Sequence, residues 1–188
     1  MAPDERRQAI VQAVLPLLRQ QGRAMTTRQI AEVAGIAEGT IFRVFDSKEQ
    51  LIDEALAEAF DPGVLFHAID RIDASLPLRE RLVAMVTLLQ ERFVEIFELM
   101  NAVGLVAPPP HLRNSEAAAE FRDRSVAKLL RLVEPDKDLL RVEPGFLLHV
   151  LRLLTFSASH HEISDHHMLT PDQIVDVVLD GTLIDPKD

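Results

Sequence analysis

The chain has no cysteine, which excludes disulfide bonds, thiolate zinc sites and thiol-based redox sensing. No apolar run approaches the ~20 residues of a membrane-spanning helix, and the N-terminus lacks the uninterrupted apolar segment of a signal peptide. The expected address is therefore cytoplasmic, with no membrane partner. Also missing are a nucleophile-base pattern, a phosphate-cradling glycine loop and zinc-protease spacing, so the reading is not of an enzyme, and it calls for no cofactor. No alternating strand pattern, hairpin turn, internal repeat or low-complexity tract occurs, which leaves an all-α chain. Positive charge is scarce, the formal total being -10 over 188 residues. With thiol chemistry excluded, the simplest switch is a bound small molecule.

What the chain does have is 47% hydrophobic residues, enough for one well-buried core or for a small domain fused to a larger one. The most informative stretch is TTRQIAEVAGIAEGTIFRVFDSKEQL, Thr26 to Leu51. Thr26 can cap a helix in which Gln29 completes a capping box, and Ile30, Ala31 and Ala34 form its apolar stripe. Gly35 ends that helix by taking a left-handed conformation that other residues resist, and a second short helix follows over Ala37 to Phe45. Ala31, Ala34 and Gly39 are small enough for the two helices to cross closely, with Ile36, Ile41 and Phe45 filling the junction. Glu38, Thr40, Phe42 and Arg43 then face outward on a helix sized for a DNA major groove. Ser47 caps a third helix, with Lys48 in its first turn.

These residues resemble the helix-turn-helix of the tetracycline-repressor (TetR) family, approximately T-x-x-x-I-A-x-x-A-G-V-S-x-G-T-L-Y-x-H-F-x-S-K-E-x-L. The chain matches at Thr26, Ile30, Ala31, Ala34, Gly35, Gly39, Thr40, Phe45, Ser47, Lys48, Glu49 and Leu51. It departs at Ala37, Phe42 and Val44, where the family usually has serine, tyrosine and histidine. In the family the tyrosine hydroxyl commonly reaches a phosphate, so Phe42 forgoes one neutral hydrogen bond, of order 1 kcal/mol. The resemblance covers the N-terminal quarter. It implies a transcription regulator, expected to act as a ligand-responsive repressor binding a pseudo-palindromic operator as a homodimer.

The DNA-contacting set is expected to be Thr26, Thr27, Arg28, Glu38, Gly39, Thr40, Phe42, Arg43 and Lys48. Thr26, Thr27, Thr40 and Lys48 suit phosphates, which fix position, whereas Arg28, Glu38 and Arg43 can reach base edges. Glu38 either accepts from a cytosine amino group or favours its own helix N-terminus electrostatically. Charge distribution fits this placement. Arg6, Arg7, Arg19, Arg23, Arg28, Arg43 and Lys48 oppose Asp4, Glu5, Glu32, Glu38, Asp46 and Glu49 in residues 1–50, a net +1, leaving -11 for residues 51–188. Such modest basicity predicts few phosphate contacts and a shallow salt dependence.

Ile10, Val14, Leu17 and Leu18 predict a first helix ending near Gly22, interrupted at Pro16. The expected organisation is a three-helix DNA-binding domain at 1–47, a connecting helix at 48–60 and a helical-bundle domain at 61–188 for ligand binding and dimerisation. Within the bundle the spacing predicts a short helix over Gly63 to Leu76, a long one opening at Pro77, a loop over Gly104 to Pro110 and a helix from Asn114 or Ser115 that Pro135 closes. Further helices are predicted at 143–159 and 171–183, and these are expected to form a four-helix dimer interface. Candidates for lining a pocket for a small, apolar effector are Phe66, Met85, Leu89, Phe93, Phe97, Met100, Phe121, Phe146 and Leu153, against the plainer reading of each as core.

The segment 160–167, HHEISDHH, brings His160, His161, His166 and His167 together with Glu162 and Asp165. It reads as an exposed polar connector and not as a metal site, because adjacent histidines usually point apart. The rival to a regulator is a helical small-molecule carrier whose helix-turn-helix no longer reads DNA, a reading encouraged by Phe42, Ala37 and the acidic total.

Overall fold

The computed structural model describes residues 3–61, 63–114 and 116–182, apart from the side chains of 3, 116–118 and 120–123. Within them the elements are α1 (Pro3–Gln21), α2 (Thr27–Val33), α3 (Glu38–Val44), α4 (Lys48–Phe60), α5 (Gly63–Asp70), α6 (Leu78–Ala102), α7 (Pro110–Arg113), α8 (Glu116–Leu130), α9 (Pro144–Ala158) and α10 (Pro171–Thr182). Short 3-10 turns cover Gly22–Ala24 and Glu134–Leu139, and no β-strand occurs among the described residues. No described helix is long and apolar enough to cross a membrane. The chain divides into two compact units, Met1–Asp61 with Ile96–Arg113, and Pro62–Glu95 with Asn114–Asp188. The partition is not linear in sequence, since the last turns of α6 belong to the first unit.

In the first unit Ile10, Val14 and Leu18 of α1 are buried with Met25, Ile30, Ile41, Phe45, Leu51 and Leu56, and with Leu99 and Val103 from the second stretch. The predicted interruption at Pro16 does not occur, because α1 runs unbroken through it. Pro16 sits on the exposed side, while Val14, Leu15, Leu17 and Leu18 on either side of it are buried. Burying several such side chains, at about 1.5–3 kcal/mol each, outweighs the ~3 kcal/mol that a helical proline costs. After α1 the backbone turns at Gly22, whose φ is +57°. A Cβ placed there would lie 2.9 Å from the carbonyl carbon of Ala102 and deep inside contact with its oxygen, so backbone meets backbone without a side chain between.

The second unit buries Ile69 of α5, Leu82, Met85 and Val86 of α6, Leu147 and Leu151 of α9, and Ile174 and Val175 of α10. Thr170 and Gln173 form a capping box on α10, with Thr170 N–H donating to Gln173 Oε1 at 2.9 Å and Gln173 N–H donating to Thr170 Oγ1 at 3.2 Å. Arg79 at the start of α6 forks onto Asp176 (2.7 and 3.0 Å) and Asp172 (2.9 Å) of α10. Buried Arg81 pairs with Asp136, as an enclosed charge requires.

Several element limits differ from expectation. α5 stops at Asp70 and not at Leu76, because Asp73 Oδ1 accepts the Ser75 N–H at 2.8 Å and stabilises a turn in competition with helix. Pro110, expected in a loop, opens the short α7, its ring being suited to a first helical position. α8 ends at Leu130, and Pro135 lies in the 3-10 turn beyond it. Glu143 and Ser159, the expected limits of the ninth helix, are its caps. Leu183 falls outside the described residues.

Candidate nucleic-acid interface

The start of α2 and the turn between α2 and α3 are both built by short-range hydrogen bonds. Thr26 Oγ1 accepts the Gln29 N–H at 3.2 Å, and Gln29 Oε1 accepts the Thr26 N–H at 2.8 Å and its hydroxyl at 3.0 Å. At the other end, Ala34 N–H donates to Ile30 O, and Ile36 N–H donates back to Ala31 O at 3.0 Å. This reversal needs Gly35 at φ +65°, a left-handed conformation that a Cβ disfavours.

α3 buries Ile41 and is closed by the buried Phe45, which leaves Glu38, Gly39, Phe42 and Arg43 exposed and Thr40 half-buried. Phe42 is 53% exposed, a large apolar ring on a short helix that is otherwise anchored from below. Arg28 on α2 is exposed as well. Ala37 gives α3 no side-chain cap.

Four of the predicted contact residues are engaged within the protein. The Thr26 hydroxyl serves the capping box. Thr27 Oγ1 donates to Glu38 Oε1, so the glutamate is tethered to α2. Lys48 Nζ donates at 3.0 Å to both Arg23 O and Met25 O, closing the carbonyls of the turn before α2, which leaves one ammonium N–H for another acceptor. Sequence reasoning missed Arg7, whose guanidinium donates to Glu54 and to the Val44 carbonyl. These partners lie 47 and 37 residues away, so no local signal points to them. The Glu54 hydrogen bond holds the Arg7 guanidinium above its ordinary value.

The candidate ligand residues are divided between the units. Phe97 and Met100 fall in the first, whereas Phe66, Met85, Leu89, Phe93, Phe146 and Leu153 fall in the second. The Phe121 side chain lies outside the described residues. Phe66, Met85 and Leu89 are buried, and Phe93 meets Phe156 edge to face at 5.4 Å. Phe146 and Leu153 face outward at 55% and 47% exposure. They line an open apolar groove on α9 and α10 with Val150, Leu154, Ser157, Val177 and Gly181. Between these helices, His161 Nδ1 lies 3.0 Å from His166 Nδ1. Among the described residues no three His, Asp or Glu side chains are grouped to hold a metal ion.

The model of the bacterial regulatory proteins of the tetR family matches residues 10–55. The HTH-type transcriptional repressor KstR of Rhodococcus jostii is 28% identical over 180 residues, covering 90% of this chain and 82% of that protein. KstR2 of the same organism is 40% identical over 126 residues, covering 63% of this chain and 60% of KstR2. A TetR-family regulator structure from Vibrio parahaemolyticus shares the fold, with TM-score 0.63, 19% identity and coverage of 95% of this chain and 98% of that one. The matched segment takes in α2, its glycine turn and the outward α3, so residues 10–55 carry the helix-turn-helix of bacterial regulatory proteins of the tetR family, and the chain is a DNA-binding transcriptional regulator.

Proposed function

We propose that the protein is a ligand-responsive repressor that binds a pseudo-palindromic operator as a homodimer, in the cytoplasm. The observation that carries the reading is α3, a seven-residue helix gripped from beneath by Ile41 and Phe45 with Glu38, Gly39, Phe42 and Arg43 turned to solvent. A helix so presented fits the ~12 Å major groove. Arg43 and Arg28 would read base edges, with Thr40 and the remaining ammonium N–H of Lys48 holding phosphates and the Thr27 hydroxyl kept by Glu38. That KstR and KstR2 are both repressors supports repression as the outcome.

A two-fold operator requires two heads about 34–36 Å apart. The apolar groove of α9 and α10, with Val177 65% exposed, supports a joint between two copies. An apolar effector seated among Phe66, Met85, Leu89 and Phe93 of the second unit would shift α4 and so the separation of the heads. Coupling of this kind is reciprocal, so DNA weakens the effector by the same factor.

Selection of bound duplexes from a random pool tests the reading. The expected result is one enriched sequence with two-fold related halves, carried by two chains per duplex. No enrichment at any salt concentration overturns it in favour of a helical carrier.

A further inference from the structure

Arg7 projects from α1, yet all three of its guanidinium nitrogens are used outside that helix. Nε donates to Glu54 Oε2 at 2.7 Å, Nη2 donates to Glu54 Oε1, and Nη1 donates to the Val44 carbonyl at 2.6 Å. The guanidinium carbon also lies 4.5 Å from the centroid of the Phe45 ring. Val44 is the last residue of α3, Phe45 is its C-cap, and Glu54 lies midway along α4. One side chain therefore joins three helices.

The join bears on a short helix poorly able to place itself. At seven residues α3 is far shorter than a helix that persists alone, and Ala37 gives it no side-chain cap. Its inner face is fixed by Ile41 and Phe45. Its half-buried carbonyl end is fixed by Arg7, where a cation also meets the negative end of the helix dipole. A planar fork can grip a carboxylate with two nitrogens and a carbonyl with the third, whereas a lysine ammonium cannot reproduce that geometry.

We infer that Arg7 is a positioning residue for DNA reading, setting the angle at which α3 stands on its scaffold and tying it to α4 through Glu54. The inference rests on the proposed operator binding. It assigns Arg7 an effect on sequence discrimination exerted through α3 and without touching the duplex. Glu54 then becomes the point at which a displacement of α4 reaches the reading helix.

The test uses the full chain as wild type, Arg7→Lys, Arg7→Met and Glu54→Gln. Each is titrated by fluorescence anisotropy against the selected operator duplex and an unrelated duplex of equal length, over a range of salt, with a thermal melt of each variant. Both Arg7 variants should lower the ratio of operator to unrelated affinity at least tenfold, and Glu54→Gln should lower it at least threefold. The salt slope of Arg7→Met should match wild type. Rescue by Arg7→Lys together with a slope reduced by about one unit identifies a phosphate contact and overturns the inference. Unchanged ratios with lowered melting identify a purely structural role and overturn it too. If Arg7→Met does not fold, the other two variants decide. A wild type that enriches no sequence refutes the operator reading along with the inference, a result separate from a wild type that selects a site its variants read equally well.

Discussion

Replacing Gly22 with alanine imposes two separable costs. Its φ of +57° is a conformation that costs an L residue about 1–2 kcal/mol. The new methyl would also lie 2.9 Å from the Ala102 carbonyl carbon and closer still to the oxygen. Backbone cannot swing aside like a side-chain tip, and overpacking of this kind costs about 1–3 kcal/mol. Reduced freedom of the unfolded chain returns about 0.4–1 kcal/mol. The net destabilisation is roughly 1–5 kcal/mol, or roughly 2–18 °C in melting temperature for a chain of this size. Gly35 supplies the control, since it has a similar φ of +65° and nothing within 4 Å of its would-be Cβ. Gly35→Ala should therefore lose only the conformational part, about 1 kcal/mol net of the unfolded-state term. Urea denaturation and thermal melts of both variants measure the difference. If Gly22→Ala and Gly35→Ala melt together, Ala102 does not press on Gly22 and the reasoning is wrong.

Phe42→Tyr should tighten operator binding by about 1 kcal/mol, the worth of one neutral hydrogen bond to a phosphate, with little change in melting because the ring is 53% exposed; unchanged affinity in a gel-shift titration removes position 42 from the DNA backbone. Val177→Glu, set in the apolar groove of α9 and α10, should yield monomers by light scattering and abolish two-fold operator binding while α10 remains helical; a dimer that survives places the joint elsewhere. Asp70 is held below the ordinary carboxylate value, first by the Lys128 hydrogen bond, and Asp176 by that of Arg79. A carboxylate depressed in the folded state stabilises fully above its unfolded value of about 3.9, and this is lost as pH falls through the folded value. Asp70→Asn and Asp176→Asn should therefore flatten the loss of urea stability below about pH 4, and an acid limb identical to wild type contradicts the pairing.

Features settled within one turn are legible in the sequence. Thr26 with Gln29, Ser47 with Gln50 and Thr170 with Gln173 each act over three residues, and Gly35 reports a backbone angle of its own. The stripe of Leu82, Met85, Val86 and Leu89 is likewise a property of one helix. What escapes the sequence is which neighbour each face meets. Phe146 and Leu153 match core positions in composition and spacing, yet they are turned outward because α9 buries Leu147, Leu148 and Leu151 on its other side. Lys48 fits a phosphate contact equally well on paper, but its ammonium finds two carbonyls more than 20 residues away. For Glu38 the decisive partner is Thr27, across the turn. Side chains with many donors, Arg7 above all, are the least legible, since nothing along the chain says where a long cation will land.

Three hydroxyls at α9 and α10 are turned inward on their own helices, Thr155 Oγ1 donating to Leu151 O at 2.7 Å, Ser159 Oγ of the α9 C-cap to Thr155 O at 2.6 Å and Thr182 Oγ1 to Val178 O at 2.8 Å. Those three hydroxyls are thus not stranded when a partner covers the neighbouring Phe146, Leu153 and Val177. Adhesion there would come from expelled water, whose pull slackens in the cold, and would announce itself in calorimetry as a drop in heat capacity. A joint of this make would hold firmest in warmth and come apart on ice.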